Sequence, residues 1–149
     1  MSGYILKVTV DKFTFLVPEG LSYTDAGVWV KLEGSRARLG LSDFAQQSSG
    51  DVAFARVKPV GTDLDLGDEF AEVETVKVNV SFPSPVKGTI VEINPSAAEA
   101  AELINQDPYG KGWLAVLELS NWDNDRARLL DAATYLALVK DQAEAEMAK

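Results

Sequence analysis

The sequence predicts a mainly β fold, a barrel-like sandwich with short peripheral helices and a C-terminal helix. Most of the 149 residues form short alternating or β-branched runs. Gly, Pro, Asp and Ser separate these runs, which is typical of strands joined by turns. Helical patterns are few and come late in the chain. No linker divides the sequence, and its length suits one core, so we expect a single domain over residues 1–149.

The first half of the chain supplies paired strands. Residues 4–10 alternate between apolar and polar side chains, and residues 14–17 follow after a polar pair. Residues 27–33 and 36–41 are strand-like and are separated by Gly34-Ser35, which is a hairpin signal. A single helical turn is expected next, over residues 41–47, ending at a Ser-Ser-Gly sequence.

The second half contains the remaining strands, predicted over residues 52–60, 70–80, 88–94 and 113–119. The large aromatic side chains expected in the core are Trp29, Phe44, Phe54 and Trp113.

Three helices are predicted towards the C-terminus. Ser96-Ala97-Ala98-Glu99 has the form of a capping box and predicts a short helix that ends before Asp107. A shorter helix is expected from Ser120, and the last begins near Asp131. The residues predicted to share the inner face of this last helix are Ala133, Leu136 and Ala137. We expect the polar tail, residues 141–149, to extend the helix in solvent or to fray.

Composition excludes several classes of function. The chain has no Cys and no His, so it can build neither a thiolate site nor a Ser-His-Asp or Cys-His triad. Catalysis by this chain alone is therefore not expected. The net charge of -9 disfavours nucleic acid and suits either docking onto basic surfaces or simple solubility. No apolar run is long enough to span a bilayer, and the N-terminus lacks a signal-peptide pattern, so a cytoplasmic protein is expected.

Lys77 is the residue whose position most clearly indicates a chemical role. It lies between Val76 and Val78, midway between Gly67 and Gly88. An extended strand on each side would place Lys77 at the tip of a hairpin, where another protein could reach it. The pattern alone also fits an ordinary exposed strand lysine.

A series of short motifs identifies a family resemblance. Glu74-Thr75-Val76-Lys77 is similar to Glu-Ser-Val-Lys, and residues 84–88 are similar to Ser-Pro-Val-Ser-Gly. Residues 107–114 read Asp-Pro-Tyr-Gly-Lys-Gly-Trp-Leu, and upstream matches include Tyr23-Thr24, Trp29-Val30, residues 40–46 and residues 50–52. In this order the motifs resemble the H-protein of the glycine cleavage system, from about residue 21 to about residue 139. Residues 1–20 are then an extra β-like segment.

The resemblance implies a barrel-sandwich hybrid of the lipoyl/biotinyl-carrier type, with lipoate attached covalently to Lys77 through an amide. It implies that Glu74 helps the lipoate-attaching enzyme to recognise the hairpin. The chain would then be a carrier rather than an enzyme, with the chemistry supplied by the cofactor and its partners. Biotin is the rival group, but biotin carriers flank their lysine with Met, and here both neighbours are Val.

The sequence departs from the family in its opening motif. The family has Glu-His-Glu before the Trp, near the cleft for the loaded arm, and this chain has Ala26-Gly27-Val28. Three interpretations follow. The first is a carrier working with glycine decarboxylase, aminomethyltransferase and dihydrolipoyl dehydrogenase. The second, slightly favoured by these departures, is an H-like lipoate-binding protein of another system, such as bacterial sulfur oxidation with a heterodisulfide-reductase-like complex. The third is an unmodified binding module, which the intact 74–77 motif disfavours.

Overall fold

The computed structural model describes residues 4–149. Within that range the strands are, in chain order, β1 (Ile5–Val10), β2 (Phe13–Pro18), β3 (Ser22–Tyr23), β4 (Val28–Glu33), β5 (Arg36–Leu41), β6 (Val52–Val57), β7 (Asp63–Leu64), β8 (Glu69–Thr75), β9 (Asn79–Pro83), β10 (Gly88–Ile93) and β11 (Ala115–Leu119). The helices are α1 (Asp43–Ser49), α2 (Pro95–Glu99), α3 (Leu103–Gln106), α4 (Trp122–Asp125) and α5 (Ala132–Met147), with a 3-10 turn at Arg126–Arg128. The prediction of a mainly β fold with short helices and a C-terminal helix is confirmed.

Residues 4–149 form three antiparallel sheets. The largest has the order β3-β4-β5-β11-β10-β7, the second has the order β6-β8-β9, and β1 pairs only with β2. The main core contains apolar side chains of the two larger sheets, including Leu39, Phe70, Ile90 and Leu117, each fully buried. Burial of such side chains stabilises the fold by roughly 1.5–3 kcal/mol each. Side chains from the base of the β8–β9 hairpin belong to this core and anchor the hairpin there.

A second core lies beneath the N-terminal hairpin. β1 and β2 pack against α5, and their buried side chains Phe15 and Val17 join Tyr23, Tyr135 and Val139 in one cluster. The rings of Tyr23 and Tyr135 stack with their centroids 4.7 Å apart. Residues 4–18 therefore form a hairpin that is packed on the rest of the chain.

Hydrogen bonds fix the N-terminal hairpin to α1. The Asp43 carboxylate accepts a bond from the Leu16 amide at 2.9 Å, and Tyr109 donates its hydroxyl to the Leu16 carbonyl at 2.7 Å. The Asp43 amide donates to the same Tyr109 hydroxyl at 2.9 Å. Since both the amide and the carbonyl of one β2 residue are held, the hairpin has a defined position beside α1.

The expected helix starts are partly right. Asp131 caps α5 by accepting from the Thr134 amide at 2.8 Å, as predicted. The capping box at residues 96–99 is wrong: the cap is Asn94, whose side chain accepts from the Ser96 amide at 3.0 Å. Pro95 occupies the first helical position, which favours a start two residues earlier. The helix also stops at Glu99, and α3 is separate.

The predicted inner face of α5 is wrong for Ala133 and Ala137, whereas Leu136 packs against the second core. Its buried residues are Ala132, Tyr135, Val139 and Ala143, while Ala133 and Ala137 are exposed and Leu136 is half-buried. The N-terminal hairpin and β3 decide which face is covered, and a helix with so much Ala marks neither face clearly. The helix continues into the polar tail as far as Met147.

Among the aromatic residues expected in the core, Trp29 and Phe44 are buried, Trp113 is half-buried under Arg38, and Phe54 is exposed. Phe54 follows a register irregularity between β6 and β8, which turns its ring outward. Across residues 4–149, the helices are all too short or too polar to cross a membrane.

Candidate functional site

The β8–β9 hairpin projects Lys77 from the molecule. The ladder ends at the pair Glu74–Asn79, and the Thr75 amide donates to the Val78 carbonyl at 2.8 Å to close the turn. Val76 is 91% exposed, and Lys77 is exposed beside it. Val76 therefore buries little of its side chain within the fold, and both residues of the tip are available for contact with another molecule.

Thr75 organises this tip. Its side chain is 8% exposed, and its hydroxyl accepts from the amides of Lys77 at 3.1 Å and Val78 at 3.0 Å. The same hydroxyl donates to the Val78 carbonyl at 3.1 Å. A Ser or Thr hydroxyl that bonds the backbone two or three residues ahead fixes a tight turn without glycine. Sequence reasoning missed this role, although the hydroxyl shared with the family's Ser was a usable signal.

The Lys77 side chain lies over the end of α1. Its Cδ is 3.7 Å from the position that a β-carbon on Gly50 would take. Gly50 ends α1 with φ of +90°, a conformation that glycine adopts readily. Among residues 4–149, no carboxylate forms an ion pair with Lys77. Its amine is therefore accessible and not committed to a partner.

Glu74 lies on β8, next to the turn. Its carboxylate is 3.9 Å from the Arg56 guanidinium, which makes a closer bond of 2.9 Å to Glu72. The Glu74 side chain is 36% exposed. The structure thus brings Glu74 and Lys77, the two predicted site residues, to the same end of one hairpin, with Glu74 only loosely paired.

An apolar groove runs beside the tip. It has a volume of about 250 Å³ and lies between the β3–β4 turn, α1, β9 and α5. Ala26, Gly27, Phe44 and Val78 are among its walls, and none of the described residues that line it has an ionisable side chain. Two of the three residues expected near an arm cleft therefore line it; the third, Val28, is fully buried.

Gly27 is required where the groove meets the second core. Its φ is +91°, and a β-carbon there would come within 2.7 Å of the Ala45 side chain. Beneath it, the hydroxyls of Ser42 and Tyr135 are 2.7 Å apart. Burial raises the pKa of Tyr135 to about 12, against the opposing effect of the Ser42 hydrogen bond. The hydroxyl pair beneath Gly27 is thus uncharged at neutral pH.

A family model and several known proteins match most of this chain. The family model described as "Glycine cleavage H-protein" matches residues 21–142. The chain belongs to the glycine cleavage H-protein family. The "Glycine cleavage system H protein" of Carboxydothermus hydrogenoformans is 38% identical over 129 residues, which cover 87% of this chain and 98% of that protein. That of Chlorobium limicola is 44% identical over 125 residues, covering 83% and 97%.

A solved structure supports the same assignment. The crystal structure of a glycine cleavage system H protein from Mycobacterium marinum matches with a TM-score of 0.71 and 29% identity, covering 81% of this chain and 97% of that one. The barrel-sandwich hybrid is thereby confirmed. These relatives are all H proteins of glycine cleavage, and nothing in the comparisons supports the sulfur-oxidation interpretation that the departures at residues 26–28 slightly favoured.

Proposed function

We propose that this chain is the lipoyl carrier of a glycine cleavage system and that Lys77 carries the lipoyl group. The observation that supports this most is the presentation of Lys77 at the exposed end of the β8–β9 hairpin, in a turn held by the Thr75 hydroxyl. A loading enzyme must reach the amine without unfolding the carrier, and this arrangement allows it.

The residues at the tip suit an amide-linked group. Amide formation on the Lys77 amine would remove its charge without breaking an ion pair among the described residues. Val76 and Val78 leave the turn apolar. Glu74 offers a carboxylate beside the turn, which we propose the lipoate-attaching enzyme contacts. The attaching enzyme would then contact the side chains of Lys77, Val76 and Glu74 at the same time.

The chain's own part in the process is presentation. When bound, the lipoyl dithiolane supplies the group-transfer and redox chemistry of the system. The rigid hairpin fixes the origin of the flexible arm, and tethering keeps the arm's end at a high local concentration near a docked enzyme. The partners that we propose are glycine decarboxylase, aminomethyltransferase and dihydrolipoyl dehydrogenase. A net charge of -9 would speed encounter with basic patches on them.

A carbon-exchange assay tests the proposal. Lipoylated protein is mixed with glycine decarboxylase, glycine and labelled bicarbonate, and label entering glycine is counted. We expect exchange with the wild type and with Lys87→Arg, a control at another exposed lysine, and none with Lys77→Arg. If lipoylated wild-type protein supports no exchange above the enzyme alone, the glycine cleavage role is wrong.

A further inference from the structure

A second pocket opens on the other side of Ser48 from the apolar groove. We define it as the hairpin pocket; it is lined by Phe13 and Phe15 of β2, Gln47 and Ser48 of α1, Lys77, and Glu146 and Met147 of α5. Its volume is about 190 Å³. We propose that the hairpin pocket holds the end of the arm carried by Lys77, an inference that rests on the proposed function.

Four of the seven residues that line this pocket lie outside the region that the family model matches. β2 precedes, and residues 146–147 follow, the matched residues 21–142. The relatives of C. hydrogenoformans and C. limicola are covered almost completely, at 98% and 97%, by 87% and 83% of this chain. This chain therefore has additional residues beyond the shared length, and residues on both sides of the region matched by the family model line the pocket together with Lys77.

The lining suits a small sulfur-containing ring. A closed apolar cavity of about 150 Å³ can hold benzene, so the hairpin pocket, at about 190 Å³, has room for a five-membered dithiolane and for the dithiol that its reduction produces. Two aromatic rings and the Met147 thioether form its apolar part, and sulfur packs favourably against ring edges. Because Lys77 itself lines the pocket, an attached arm can fold back into it instead of crossing the molecule.

Glu146 gives the hairpin pocket a charge that the apolar groove lacks. The Ser48 hydroxyl is 3.3 Å from each Glu146 carboxylate oxygen, which ties the end of α5 to α1. Once the Lys77 amine is acylated, Glu146 is the charged residue that remains in the lining. The pocket therefore favours an arm that ends in a neutral or cationic group over one that ends in an anion.

Two measurements test this docking without any partner enzyme. The sequence has Met only at positions 1 and 147, so methyl-labelled protein gives at most two methyl signals, and Met147→Leu identifies the one from Met147. We expect lipoylation to shift the Met147 signal. The chain has no Cys, so after reduction every thiol belongs to the arm, and its alkylation by iodoacetamide can be followed by mass.

The variant Phe13→Thr combined with Met147→Gln removes two partly exposed apolar walls, 37% and 45% exposed. We expect its thiols to react about threefold faster than those of the wild type, as for an arm docked about two-thirds of the time. The control is Leu16→Thr, which alters a side chain of similar exposure, 39%, on the opposite face of β2. It should react like the wild type.

The outcomes separate this inference from the function on which it rests. If intact mass shows lipoyl on Lys77 but the Met147 signal stays in place and all three proteins react equally, the docking is wrong and the carrier role stands. If no lipoyl can be attached to Lys77, both are wrong. A shifted Met147 signal together with the faster double variant establishes the pocket.

Discussion

The Thr75 hydroxyl should decide how well the tip is ordered. Thr75→Val keeps the β-branched shape but removes two accepted bonds and one donated bond, with lengths of 3.0–3.1 Å. A neutral hydrogen bond contributes about 0.5–1.5 kcal/mol net. Water can replace part of this at an exposed turn, so we expect a total loss of about 1–2 kcal/mol. With an m-value of about 2 kcal/mol/M, the urea midpoint should fall by about 0.5–1 M.

The functional consequence should be slower loading. If the less ordered tip raises the free energy of the loading transition state by about 1 kcal/mol, the lipoate-attaching enzyme should show about a fivefold lower kcat/KM for the Thr75→Val protein. The control is Thr75→Ser, which keeps the hydroxyl and loses one methyl, at a cost of about 0.8 kcal/mol. Its loading rate should match the wild type, because the turn bonds remain.

Amide hydrogen exchange reports the same bonds directly. The amides of Lys77 and Val78 should exchange faster in Thr75→Val and remain protected in Thr75→Ser. Equal exchange and equal loading in the two variants would refute the assignment of the turn to this hydroxyl, whatever their global stabilities.

Three further predictions concern the support of the site. Asp43→Ala removes the carboxylate that accepts from the Leu16 amide. Because hydrogen bonds to a charged group contribute about 1.5–3 kcal/mol, urea unfolding should show a free energy of unfolding that is lower by about 2–3 kcal/mol. Gly40→Ala places a β-carbon within 2.5 Å of the Trp29 ring and should cost about 1–3 kcal/mol by overpacking, visible as a lower Tm. Burial raises the pKa of Tyr135 from 10.0 to about 12. The contribution of the protonated Tyr135 to the free energy of unfolding is therefore complete below pH 10 and is lost as the pH rises towards 12. Tyr135→Phe should make the free energy of unfolding fall less steeply between pH 10 and 12, which urea unfolding at each pH measures.

Much of the fold could be predicted because its signals are local. Gly34-Ser35 separates two alternating runs, and the structure has a hairpin there between β4 and β5. The position of Lys77 followed from β-rich runs on both sides, and the β8–β9 ladder ends next to it. Asp131 was identified as a helix start because a capping carboxylate acts within three residues.

The misses have nonlocal causes. Which face of α5 is buried depends on the N-terminal hairpin, more than 110 residues away, so Ala133 and Ala143 could not be distinguished by spacing. Phe54 is turned outward by a register shift that no composition signal marks. The hairpin pocket joins the two ends of the chain, and neither Phe13 nor Met147 carries a motif that would pair them. The turn-forming role of Thr75 has a local signal instead, since its hydroxyl bonds the backbone two and three residues ahead. The sequence comparison treated this residue only as a replacement for the family's Ser.

The most direct test of the central claim is the mass of the intact protein after co-expression with a lipoate-attaching enzyme. The wild type should gain one lipoyl increment, and Lys77→Arg should gain none, while Lys87→Arg should gain the increment as the wild type does. An increment that persists in Lys77→Arg would place the lipoyl group on another lysine. The absence of any increment on the wild type would contradict the carrier role itself.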